Sequence, residues 1–147
     1  MDKESFKKVE KILYNYKYKK IYVEGQMELK EHLENKEVGA VKAVCSDAIK
    51  TSQSYNFNST VENEIGNIYK KIDEIDIDIY TSNRNNRIVE KTLEVIKPVH
   101  RDLFEYKYVQ ELTLDEISDK MHFTKQHIIT LRKELVSKMG MALLGSE

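Results

Sequence analysis

One cysteine, one proline, five glycines and no tryptophan in 147 residues exclude several kinds of protein before any motif is sought. Cys45 is alone, so it closes no disulfide within the chain and cannot build a zinc site; a reducing compartment is the plain expectation. Gly25, Gly39 and Gly66 are isolated, which leaves no glycine-rich loop to cradle phosphates. No apolar run approaches the roughly 18 residues of a membrane span. Met1-Asp2-Lys3-Glu4 does not open a signal peptide. A soluble, cytoplasmic protein with no membrane partner is expected. The formal net charge is -1, so nothing global draws the chain to a polyanion, and any nucleic-acid contact has to come from local clustering.

What is abundant points one way. Hydrophobic residues make 40% of the chain and charged residues 33%, a balance rich in Lys, Glu, Ile and Leu that favours an all-α protein with much exposed helix surface. The length suits about one domain and is enough to bury a real core. Charge is segregated along it. From Thr124 to Lys138 four bases (Lys125, Arg132, Lys133, Lys138) stand against one acid, Glu134. From Val61 to Tyr80 six acids stand against Lys70 and Lys71. That distribution suits a basic reading head on an acidic stem.

Residues 2–34 read as one long helix, with Phe6, Val9, Leu13, Tyr16, Val23 and Met27 at three-four spacing, Lys20 interrupting the seam and Gly25 a soft spot. Tyr14, Tyr18 and Tyr22 form a second stripe among lysines. It is either a basic-aromatic surface for nucleic acid or, more simply, a set of tyrosines half-buried against a neighbour. Asn35 and Gly39 suggest a break, Ala40 to Lys50 a short helix, and the polar segment Thr51 to Thr60 a loop. Ser59 and Glu62 offer a capping box for the next helix. There Val61, Ile65, Ile68, Ile72, Ile75 and Ile79 keep a four-three rhythm that outvotes the local alternation of Ile75 to Tyr80. Its partner is either the first helix of the same chain or the same helix of a second copy. Asn83 to Arg87 reads as a joint. A helix bearing Ile88, Val89, Leu93 and Ile96 then ends before Pro98, which suits the first turn of another. The expected organisation is a helical N-terminal or oligomerisation region over 1–82, a DNA-binding domain over 83–140 and a tail over 141–147.

The stretch from Thr113 to Lys138 carries the functional signal. Thr113 with Glu116 is a capping box that opens a short helix, on which Ile117 and Met121 lie on one face. Phe123 is the apolar residue inside a tight turn, and Thr124 caps a second helix whose buried stripe is Ile128, Leu131 and Leu135. Helices this short need a third to pack on; Val99, Leu103, Phe104 and Tyr106 offer that wall. Lys125, Gln126, His127, Thr130, Arg132 and Lys133 are left exposed, a set of hydrogen-bond donors and cations such as a helix in a DNA major groove requires. With the cap Thr124 they are the candidate DNA-binding residues. Lys125 and Gln126, in the first turn, are expected to face base edges, and Arg132 and Lys133 to meet phosphates.

The span from Pro98 to Lys138 resembles the DNA-binding fourth region of bacterial sigma factors. Arg101 and Tyr106 match its first helix, Leu112, Thr113, Glu116, Ile117 and Ser118 its second, and Thr124, Lys125, Ile128 and Leu131 its reader. His122 stands where the pattern prefers glycine, and histidine tolerates positive φ better than most residues. The whole chain is also similar in layout to the ArpU/RinA-like regulators of phage and prophage late genes, with Ser59-Thr60-Val61-Glu62 at the polar junction. These resemblances imply a transcription regulator that binds double-stranded DNA. The chain is too short to hold a sigma factor's promoter-melting and polymerase-gripping segments. A homodimer and a contact with RNA polymerase are the further expected partners.

Catalysis finds no support. His32, His100, His122 and His127 do not sit at metal spacing, and acid pairs such as Asp115 and Glu116 suit the first turn of a helix. No metal, cofactor or enzymatic activity is expected. His100 is expected at the surface or half-buried. Two rivals stand beside the regulator: a small terminase-like DNA-recognition subunit of a phage packaging motor, and a sigma-like interaction module that docks on polymerase and leaves DNA alone.

Overall fold

The computed structural model describes residues 1–47 and 57–145, leaving the side chains at 37, 40–47 and 57–60 undescribed. The protein is all-α: the described residues form six α-helices and no strand. They are α1 (Lys3–Asn15), α2 (Lys19–Asp47), α3 (Phe57–Val95), α4 (Pro98–Phe104), α5 (Leu114–Met121) and α6 (Lys125–Leu144). A 3-10 turn, Tyr16–Tyr18, separates α1 from α2, and a π-helical turn, Glu105–Val109, extends α4.

Several expected boundaries move. The first long helix is broken at Tyr16–Tyr18, where aromatic packing and not a breaker residue sets the chain: Tyr14 meets Tyr108 edge-on at 4.8 Å, and Tyr16 meets Phe104 at 5.5 Å. The expected tyrosine stripe is thereby split, with Tyr14 packed against the core and Tyr18 53% exposed. Beyond it α2 runs through Asn35 and Gly39 without a break. Since α3 begins at Phe57, Ser59 lies inside its first turn and is not the cap. Residues 51–56 of the expected loop lie outside the described residues. Asn83 to Arg87 is no joint, because α3 passes straight through it. Asn86 there is buried, three residues before buried Val89, so the segment continues the inward stripe.

The chain forms two compact units, one of residues 20–82 and one of residues 1–19 with 83–147. In the first, Leu33 of α2 is buried with Ile68, Ile72 and Ile75 of α3, and Ile79 packs at the margin. Lys30 Nζ reaches Asp76 Oδ1 at 2.7 Å beside this seam. Leu33 of the chain's own α2 thus covers the middle of the isoleucine repeat, while Val61 and Ile65 stay half-buried outside this cluster.

The second unit differs from the expected division in two respects: residues 141–144 of the expected tail are the end of α6, with Leu143 buried in the core, and residues 1–19 join the C-terminal side. The reason lies in α1. Asp2 caps it by accepting the Ser5 N–H at 2.8 Å, and its Phe6, Val9 and Leu13 stripe meets Leu135, Val136 and Met139 of α6. Gly140 is buried at this contact, where a Cβ would meet only the flexible end of Met1 closely and touch Val9 at an ordinary 3.5 Å. The unit holds seventeen Lys and Arg against thirteen Asp and Glu, and residues 20–82 hold seven against twelve. Charge therefore follows the division into units.

Candidate nucleic-acid interface

The helix-turn-helix is built from local chemistry. Glu116 Oε2 accepts the Thr113 N–H at 2.8 Å while Thr113 Oγ1 accepts the Glu116 N–H at 3.3 Å, which completes the capping box of α5. The Thr113 backbone N–H, and then its hydroxyl, hold the Glu116 carboxyl below the usual carboxylate range. At the other end His122 is left-handed, φ 57° and ψ 37°, in the position where glycine is favoured. The N–H groups of His122 and Phe123 both turn back to the Ser118 carbonyl, and the Ser118 hydroxyl donates to the Phe123 carbonyl. A small side chain at 118 lets the turn close this tightly. Thr124 is extended and accepts the His127 N–H at 3.2 Å, so α6 starts at Lys125.

Beneath the two helices Ile117, Ile128, Leu131 and Leu135 are buried with Leu103 and Phe104, and Val99 and Tyr106 pack at the margin. Tyr108, fully buried, completes this wall and was not among its expected members. The π-helical turn brings it inward, where its hydroxyl donates to Glu10 Oε1 at 2.8 Å.

Glu10 also holds Arg132, and here an expected site residue changes role. Arg132 Nε and Nη2 reach the two Glu10 oxygens at 2.6 and 2.7 Å, a bidentate pair, with the guanidinium over the Phe6 ring at 5.6 Å. Burial alone would push the Glu10 carboxyl up, but the hydrogen bonds from Arg132 and Tyr108 and the adjacent positive charge outweigh it and hold it low. The same carboxylate raises Arg132, and burial followed by the Glu10 charge raises the Tyr108 phenol. Arg132 is therefore tied to α1 and not presented to a phosphate. The helix row explains it: Ile128, Arg132 and Val136 are four apart, so Arg132 sits on a ridge between two buried residues.

The other candidates divide by direction. Opposite the buried stripe, at three- and four-residue steps, lie Gln126, Thr130 and Lys133, all exposed. Among the described residues Lys133 carries no ion pair. Thr130 donates its hydroxyl to the Gln126 carbonyl at 3.1 Å. Lys125 and Thr124 are exposed at the head of α6, where Lys125 pairs with Asp115 of α5; so exposed a pair contributes little and does not withdraw the lysine from use. His127 is exposed on one flank, its ring edge-on to Phe123. One row, two head residues and a flank thus come together, and only Arg132 is spent elsewhere.

No protein-family profile, curated protein or solved structure matches the chain.

His100 departs from its expected exposure. It is 1% exposed, and its Nε2 lies 3.0 Å from Glu134 Oε2 at the contact of α4 with α6. Among the described residues no three His, Cys, Asp or Glu side chains converge as a metal site, and no helix is long and apolar enough to cross a membrane.

Proposed function

We propose that this chain is a sequence-specific regulator of transcription that binds double-stranded DNA, reading the major groove with the first half of α6. The supporting observation is the outward row of Gln126, Thr130 and Lys133, set opposite a fully buried Ile128 and Leu135 and behind a capped, left-handed turn. In this role Gln126 supplies a bidentate base contact, Lys125 a second donor at the helix head, and Lys133 a phosphate contact. Thr124, with its N-terminal helix dipole, approaches the backbone. Glu10 and Arg132 hold α6 in place on α1. In this reading the protein works without catalysis or cofactor, and the layout resemblance supports phage or prophage late genes as its targets.

Selection of bound duplexes from a random pool by the purified chain tests this. A recovered motif is the expected result, and inverted or direct repeats one helical turn apart would show two copies acting together. Sizing of the free chain separates regulation from packaging, since a ring of eight or more copies belongs to a terminase subunit. Absence of any enriched motif, with polymerase binding retained, would leave only the interaction module.

A further inference from the structure

Phe123 lies inside the turn between α5 and α6, and 38% of its surface is exposed. Its backbone is fixed at both ends by Ser118, whose carbonyl accepts the Phe123 N–H at 3.3 Å and whose hydroxyl donates to the Phe123 carbonyl. Its ring is fixed by His127, one helical turn into α6, with centroids 4.7 Å apart and planes at 72°. A large apolar side chain thus stands at the head of the reading helix, on the flank that carries His127. Thr130 spends its hydroxyl proton on the Gln126 carbonyl and so adds no donor of its own.

A major groove displays one apolar group, the C5-methyl of thymine, and an aromatic ring held at the groove floor recognises it by contact. We infer that Phe123 is a specificity-determining residue that selects thymine at one position of the site, with His127 as the positioning residue that holds its ring. This rests on the reading of α6 as a DNA-binding helix.

The test uses the full chain and its selected duplex, with each thymine replaced in turn by uracil, which removes the methyl group and nothing else. Wild type should lose about fourfold in affinity at one position, the worth of one methyl-sized apolar group. Phe123→Ala should bind the thymine and uracil duplexes equally while keeping the preference set by Gln126, and His127→Ala should shrink the same ratio. Phe123→Leu, which keeps the turn filled, should retain part of it. Equal wild-type binding of every uracil duplex would overturn the inference, as would a thymine preference that survives in Phe123→Ala. If no duplex is selected at all, the DNA-binding reading itself fails, a result distinct from either of these.

Discussion

Replacing Glu10 by Gln tests whether α1 is part of the reader's scaffold. The substitution keeps the shape and one acceptor, removes the charge, and turns an amide N–H₂ toward a guanidinium. Glu10 receives three hydrogen bonds, two from Arg132 at 2.6 and 2.7 Å and one from Tyr108 at 2.8 Å. The side chains of Arg132 and Glu10 are 30% and 13% exposed. The pair therefore falls between an exposed one, worth about 0–1 kcal/mol, and a buried one, whose breakage costs about 3–5 kcal/mol. A loss of roughly 2–3 kcal/mol follows, and at a urea m-value of about 1–3 kcal/mol/M the midpoint should fall by about 0.7–3 M. Urea unfolding followed by far-ultraviolet circular dichroism measures it. In a double-mutant cycle with Arg132→Gln the coupling should exceed about 1 kcal/mol. A coupling within about 0.5 kcal/mol of zero would refute the scaffold role. So would a drop in the salt dependence of DNA binding on Arg132→Gln, because that would place the guanidinium on a phosphate.

Lys133→Gln should do what Arg132→Gln does not: weaken all duplexes alike and lower the slope of log affinity against log salt by about 1, read by anisotropy titrations at several salt concentrations. Gln126→Ala should relax preference at about one base pair, costing about 1–3 kcal/mol against the best sequence in competition binding. His122→Gly should stabilise the protein by roughly 0.5–1 kcal/mol in urea titration, since a side chain in the left-handed region carries a penalty that glycine escapes. Acid should weaken the Glu10 pair in a stated direction. Because the folded carboxyl is held low, the unfolded chain takes up the proton first. The pair's contribution is whole above the ordinary glutamate value of about 4.3 and is lost as pH falls through the lowered folded value. The stabilities of wild type and Glu10→Gln should therefore converge as pH falls below about 4.3, and a constant gap would contradict this.

Where the structure agreed with the residue pattern, the signal was local. Thr113 and Glu116 are three apart and form the capping box they spell, Thr124 caps α6, and the Ile128, Leu131 and Leu135 stripe is buried. The all-α class followed from composition and period. What escaped was long-range. The Glu10 to Arg132 pair spans 122 residues and the Tyr108 to Glu10 bond spans 98, so nothing near either residue announces its partner. Arg132 did leave one trace, its place four residues from both Ile128 and Val136. The joint expected at Asn83 to Arg87 gave too much weight to turn propensity: asparagine is a weak helix former, not a breaker, and burial of Asn86 beside Val89 decides the conformation.

Amide chemical-shift mapping of the isotope-labelled chain, titrated with a selected duplex, meets the central claim head-on. The largest changes should fall on residues 123–133, strongest at Gln126, Thr130 and Lys133, with α2 silent. Changes confined to other helices, or none in a chain whose spectrum is folded, would show that α6 does not touch DNA.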